Sequence, residues 1–183
     1  QPVTDAKYVM GPFGFLKQAW ILGMWGAFRK GPGGMLPLNT LSFLKTDPSL
    51  DLPDIQMHFL SVLLQDHGAK LPDSHCFSNH ICQLRPESRG YIAIKSLDSR
   101  VPPIIQPNYF AEQKDREVMI EGVKMSRDII SQKAFDEYRG KEITPGIEVQ
   151  TDEQIENFIR EKAETIYHPV GTCKMGSDEY AVV

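Results

Sequence analysis

An α+β domain, a mostly antiparallel β-sheet with helices packed on one face, is the fold class that this sequence predicts. Two observations carry the expectation. Short runs that alternate or stay apolar, bounded by turn residues, fill the first half of the chain, and two stretches with apolar residues at helical spacing fill the second.

Pro12 to Arg29 reads as a helix, with Phe13, Leu16, Trp20, Leu22 and Trp25 among few charges and with glycine interruptions. Its role is either a wall or lid over a pocket or ordinary core packing. Gly31 to Gly34 then marks a loop. Between Leu36 and Leu64 the pattern changes to strands: Leu41 and Phe43 in one, Ile55 to Leu60 in the next, with the turn-rich Asp47 to Asp54 between them. This predicts an antiparallel pair with His58 inside its second strand. Gln65 to Ser74 is polar and loop-like.

His75, Cys76, His80 and Cys82 come next, imidazole and thiolate being the usual ligands of zinc. On a strand His80 and Cys82 face the same side, yet the spacing matches no standard zinc pattern, so no metal is expected. Arg85 to Gly90 links this strand to Tyr91–Ser96, which predicts a hairpin turning on Pro86 and Gly90. Arg85 and Arg89 could bind an anion, but fixing the turn is the simpler role. Val101 to Tyr109 holds Pro102, Pro103 and Pro107, and is expected to be an extended, largely unpaired crossing.

A helix is predicted over 112–132, with Val118, Met119, Gly122, Val123, Ile129 and Ile130 on one face. Lys141 to Val149 is a loop around Pro145 and Gly146. Thr151 and Gln154 form a capping box opening a last helix, with Ile155, Phe158, Ile159 and Ala163 inward. This helix delivers the chain to Thr165.

Composition narrows the function. With 183 residues, 41% hydrophobic and 24% charged, the chain suits one soluble globular domain. A formal charge of −4 leaves no basic footprint for nucleic acid. Phe13 to Phe28, the longest apolar neighbourhood, is too interrupted to span a membrane. Three cysteines make no closed disulfide framework and point to a reducing compartment.

The chemistry concentrates at Thr165 to Gly176. Pro169 disfavours helix at His168 and pushes it toward an extended conformation, so the imidazole is aimed. Gly171 permits a turn or a close approach, and the Thr172 hydroxyl can cap the backbone just beyond it. Histidine titrates near neutrality, so a positioned imidazole can accept a proton from a substrate hydroxyl and return it. The ordinary alternative is a buried histidine in a tight turn.

Tyr167-His168-Pro169-Val170-Gly171-Thr172-Cys173-Lys174-Met175-Gly176 resembles the active-site signature of the glucose-methanol-choline (GMC) oxidoreductases, flavoenzymes that oxidise alcohols with FAD. Arg85 to Tyr91 resembles the RPxSRG turn of that family, Pro103 to Tyr109 its PxIxPNY segment, and Pro53 to Phe59 its PDxQxHF strand. The resemblance runs from about Gly33 to Val183. It is nearest to the choline dehydrogenase and alcohol dehydrogenase branch, which usually passes electrons to an acceptor other than oxygen.

The resemblance implies a sheet roofing the substrate over the flavin. His168 would be the proton acceptor as a primary alcohol loses hydride to FAD and becomes an aldehyde. His58, Ile166 and Val170 would line the substrate pocket, with Ile166 toward the flavin and Val170 shaping the approach. Choline would want aromatic faces, for which Trp20, Trp25, Tyr91 and Tyr167 are available, whereas a neutral alcohol needs only an apolar cavity. No GxGxxG turn followed by an acidic residue is found here. Residues 1–183 are therefore expected to be a substrate-binding domain, with the FAD-binding domain and a second catalytic asparagine or histidine outside them. The chain alone is not expected to bind FAD. Its expected partners are a small alcohol, its own FAD-binding domain and an electron acceptor, with a cytoplasmic or peripherally membrane-associated location. The competing reading is a non-catalytic binding or interaction domain derived from this family.

Overall fold

In the computed structural model, residues 15–34, 38–62 and 76–183 are described. Pro12 and Phe13, Leu36, Leu64, the predicted loop Gln65–Ser74 and the candidate ligand His75 lie outside them.

Helix α1 (Phe15–Phe28) is apolar around most of its circumference. Trp20, Leu22, Trp25 and Phe28 stay exposed, so α1 is not the core helix that ordinary packing would make it. A short 3-10 turn, Pro32–Gly34, ends it against Trp25.

Strands β1 (Leu38–Leu44), β2 (Ile55–Leu60) and β3 (Ser78–Gln83) form an antiparallel sheet in chain order. The predicted antiparallel pair is present, with Leu41 opposite His58 and Phe43 opposite Gln56. Asp54 fastens the β1–β2 connection by accepting from the Thr46 backbone N–H at 2.8 Å and from its hydroxyl at 2.5 Å.

Period-two alternation gives the sheet two different faces. Ile55 and Met57 on β2, with Asn79, Ile81 and Gln83 on β3, face helix α2 (Gln113–Ser131). There Ile55, Met57 and Val118 form one core cluster. Gly122 sits where α2 crosses closest; a Cβ would lie 2.8 Å from a methyl of Ile81 and 3.2 Å from one of Ile55. Helix α3 (Asp152–Lys162) packs on the outer side of α2, where Ile120, Val123, Ile155 and Ile159 make the second cluster. Both helices fall within a residue or two of their expected bounds, and the Thr151–Gln154 capping box forms. Ala163 departs from expectation. It caps the C-terminal end of α3 and is exposed.

One further expectation is corrected. Val101–Tyr109 is largely unpaired as expected, apart from one three-residue strand, but β3 does not form a hairpin with the next strand, β4 (Tyr91–Ala93). Instead β4 pairs with β5 (Ile104–Gln106) in a separate two-stranded sheet. The cause is the turn between β3 and β4. Buried Asp115 at the start of α2 accepts from the backbone N–H groups of Glu87 and Ser88, both at 2.8 Å, and from the Gln83 amide at 2.9 Å. Arg89 donates to the carbonyls of Pro86 and Ser88, a turn-fixing role as expected. So tied, the turn carries the chain away from the first sheet. Gly90 then lets β5 approach, since a Cβ there would collide with the Gln106 carbonyl oxygen.

Candidate active site

The sheet face turned away from α2 carries Leu41 and Phe43 from β1, Gln56 and His58 from β2, and His80 and Cys82 from β3. Leu41 and Phe43 are about half exposed, 47% and 55%. His58 and His80 stand directly opposite one another across the β2–β3 pair. That juxtaposition is a consequence of register. Side chains on directly opposed residues have Cβ atoms about 4.5–5.5 Å apart.

Glu164 comes within electrostatic reach of His80, and His168 within reach of His58. His168 is thus an electrostatic neighbour of His58, and the sheet adds His80, which sequence reasoning considered only as a metal ligand. No local signal marked it, because its place opposite His58 depends on the register of the β2–β3 pair.

Local geometry explains how His168 is presented. The capped α3 ends at Lys162, the Thr165 hydroxyl accepts from the Tyr167 N–H at 3.0 Å, and Tyr167 takes a left-handed φ of 64°. A tight bend thus precedes His168. Gly171 comes after it at φ 102° with open space where a Cβ would be, so it serves the turn and not a close approach. His168 itself is exposed, Ile166 is half-buried and Val170 is 92% exposed.

Burial, and then the neighbouring charge of His168, hold the His58 imidazole below the usual histidine range. His80 is lowered too, by burial first and by His58 second, with Glu164 opposing. Both rings are therefore neutral at pH 7. Nε2 of His58 is shielded from solvent and has no hydrogen-bond partner among the described residues. A buried, unmatched ring nitrogen costs stability unless something completes it. Burial also raises the Cys82 thiol above its ordinary value, which makes it an unreactive neighbour.

The aromatic residues suited to a quaternary ammonium are dispersed. Trp25 already carries the Arg29 guanidinium 4.5 Å from its ring centre, and Tyr91 lies on β4 in the other sheet. Tyr167 alone adjoins His168 in sequence.

A family model described as GMC oxidoreductase matches residues 86–183. Among curated proteins, the oxygen-dependent choline dehydrogenase of Pseudomonas fluorescens (strain Pf0-1) is 46% identical over 141 residues, covering 77% of this chain and 25% of that protein. Its namesake in Rhizobium rhizogenes is 42% identical over 168 residues, covering 91% and 31%, and that of Brucella ovis 38% identical over 185 residues, covering 100% and 33%. The chain thus spans a quarter to a third of the length of these relatives. Pyridoxine 4-oxidase from Mesorbium loti superposes with a TM-score of 0.72 at 25% identity, over 80% of this chain and 29% of that one. Formate oxidase of Aspergillus oryzae RIB40 shares the fold, with a TM-score of 0.76 at 21% identity over 94% of this chain and 35% of that one.

Proposed function

This chain belongs to the GMC oxidoreductase family, and on that premise we propose that it forms the substrate-binding part of an FAD-dependent alcohol dehydrogenase of the choline dehydrogenase type. The reading is supported by the ten-residue signature around His168, a histidine whose charge is felt by His58 on the open face of the first sheet.

The open face fits a flat heteroaromatic cofactor. Leu41 and Phe43 would offer it apolar contact, and Gln56 on the same face a polar edge. The glycine-rich turn for the dinucleotide is assigned to the remainder of the protein. FAD, when bound, supplies the acceptor for a hydride. The part of this chain is to bind and orient the alcohol, to exclude water from the sheet face, and to take the proton. An imidazole nitrogen of His168 accepts the hydroxyl proton while the carbon-bound hydrogen departs with its electron pair, so alcohol becomes aldehyde, a proton and a hydride. Neutral His58 lies beside the base without adding a like charge, and Ile166 and Val170 flank the approach.

Choline is the favoured substrate because the relatives share most of this chain and are named for it. Their name also makes oxygen the first electron acceptor to test. Rapid mixing of the full-length flavoprotein with choline, and separately with its neutral carbon isostere, tests the proposal. Flavin bleaching by choline at a rate at least about tenfold above that by the isostere is expected, a difference of about 1.4 kcal/mol. Bleaching by neither alcohol would overturn it. Oxygen uptake during turnover with choline assigns the acceptor.

A further inference from the structure

The hydrogen-bond chain on β3 fixes the state of a histidine that the reaction above does not use. Ser78 is fully buried, and its hydroxyl donates to the Val62 carbonyl at 2.7 Å. A hydroxyl has one hydrogen, and a carbonyl cannot give one back. The Ser78 oxygen therefore faces His80 Nε2, 3.1 Å away, as an acceptor, and Nε2 must carry the proton. The other nitrogen, Nδ1, keeps its lone pair in the neutral ring.

We propose that His80 is a positioning residue for the alcohol-oxidising site: locked by Ser78 as the Nε2–H tautomer, it stands across the strand pair from His58 and orients the His58 ring. The inference rests on the functional reading above for what His58 does, though not for the state of His80. Geometry supports it from both sides. Leu41 on β1 and His80 on β3 are the Cα partners of His58, so the ring is bracketed within one row of the sheet. The titratable and charged groups facing the pair are His168, Glu164 and Cys82. Because burial and His58 both oppose charge on His80, the locked tautomer persists through neutral pH. A locked His80 limits the orientations open to the His58 ring opposite it, and a misplacement of about 1 Å caused far from the reacting atoms can cost 10²-fold in rate.

Three variants of the full-length flavoprotein test this: His80→Leu, which removes the hydrogen bond; His80→Gln, whose amide can donate to Ser78 as Nε2 does; and Ser78→Ala, which unlocks the tautomer. Choline is the reductant, and flavin reduction is followed at saturation. His80→Leu and Ser78→Ala are expected to reduce flavin about tenfold or more slowly with an unchanged flavin spectrum, and His80→Gln to stay within about threefold of wild type. If His80→Leu fails to fold, the Ser78→Ala and His80→Gln pair decides alone. Reduction at the wild-type rate in Ser78→Ala, or His80→Gln as slow as the variants lacking the bond, would overturn the proposal. Nitrogen-15 spectra of the histidine rings give a readout that does not depend on the reaction. A protonated Nε2 and bare Nδ1 on His80 are expected, and the opposite tautomer would also overturn it. Should wild-type protein not be reduced by any alcohol, the functional reading fails while the spectra still judge the lock.

Discussion

Asp115 shows how one side chain decides where a segment goes. Only 1% of it is exposed, and it accepts three hydrogen bonds that tie the turn before β4 to the start of α2. Burial alone would raise its pKa, but the bonds from Ser88, Glu87 and Gln83 outweigh it and leave the carboxyl below its ordinary value. A depressed carboxyl stabilises the fold above the unfolded value of about 3.9, and that stability is lost as pH falls through the folded value. Asp115→Asn replaces an acceptor-only carboxylate with an amide whose NH2 group faces N–H donors, and is expected to destabilise by about 1–3 kcal/mol at pH 7. Urea unfolding should also show a shallower loss of stability below about pH 4 in the variant than in the wild type. An unchanged midpoint at neutral pH would show that the turn holds without the carboxylate. His168 is the opposite case, a residue whose backbone is specified by its neighbours in sequence and whose side chain is left exposed.

Among elements, α2 and α3 were the most legible because each signals itself locally. The apolar stripe of α2 repeats at helical spacing, and Thr151 with Gln154 announces the start of α3 before any tertiary contact is known. Thr151→Ala should cost about 1 kcal/mol, read as a fall in melting temperature of about 2–4 °C, with no change in the spectrum of bound flavin. Gly122→Ala is a sharper test of packing. In an isolated helix alanine would help by about 1 kcal/mol, but here its Cβ meets Ile81 at 2.8 Å, so overpacking is expected to win with a net loss of about 1 kcal/mol or more. A higher melting temperature for Gly122→Ala would mean that α2 can lift from the sheet at no cost. The partner of β4 was not legible. Three-residue strands carry almost no periodicity, and the pairing of β4 with β5 depends on Asp115, which is distant in sequence, and on the bare backbone of Gly90. The exposure of α1 had no local signal either, since an apolar run reads the same whether this chain or another part of the protein covers it.

At the scale of the whole molecule, the site depends on register. His168 stood out by its flanking proline and glycine, and His58 by its motif, whereas the placing of His80 opposite His58 required the fold. Strand register couples residues about twenty apart, and no local pattern encodes it. The two neutral strand histidines also give the molecule a pH response. Their folded pKa values lie below the unfolded value of about 6.5, so above that pH neither state binds the proton and stability is flat. Below it the unfolded chain takes up protons that the folded chain refuses, and stability falls as pH drops toward the folded values. Replacing both histidines with glutamine should remove this loss as pH falls below about 6.5. An equal loss in the double variant would assign the response to other groups. The central claim concerns His168, and it is tested most directly by rapid mixing of the full-length His168→Ala flavoprotein with choline beside the wild type. The account predicts flavin reduction slower by about 10²–10⁴-fold, with the flavin spectrum and melting temperature retained. Reduction at a near wild-type rate would contradict it and place the proton acceptor elsewhere.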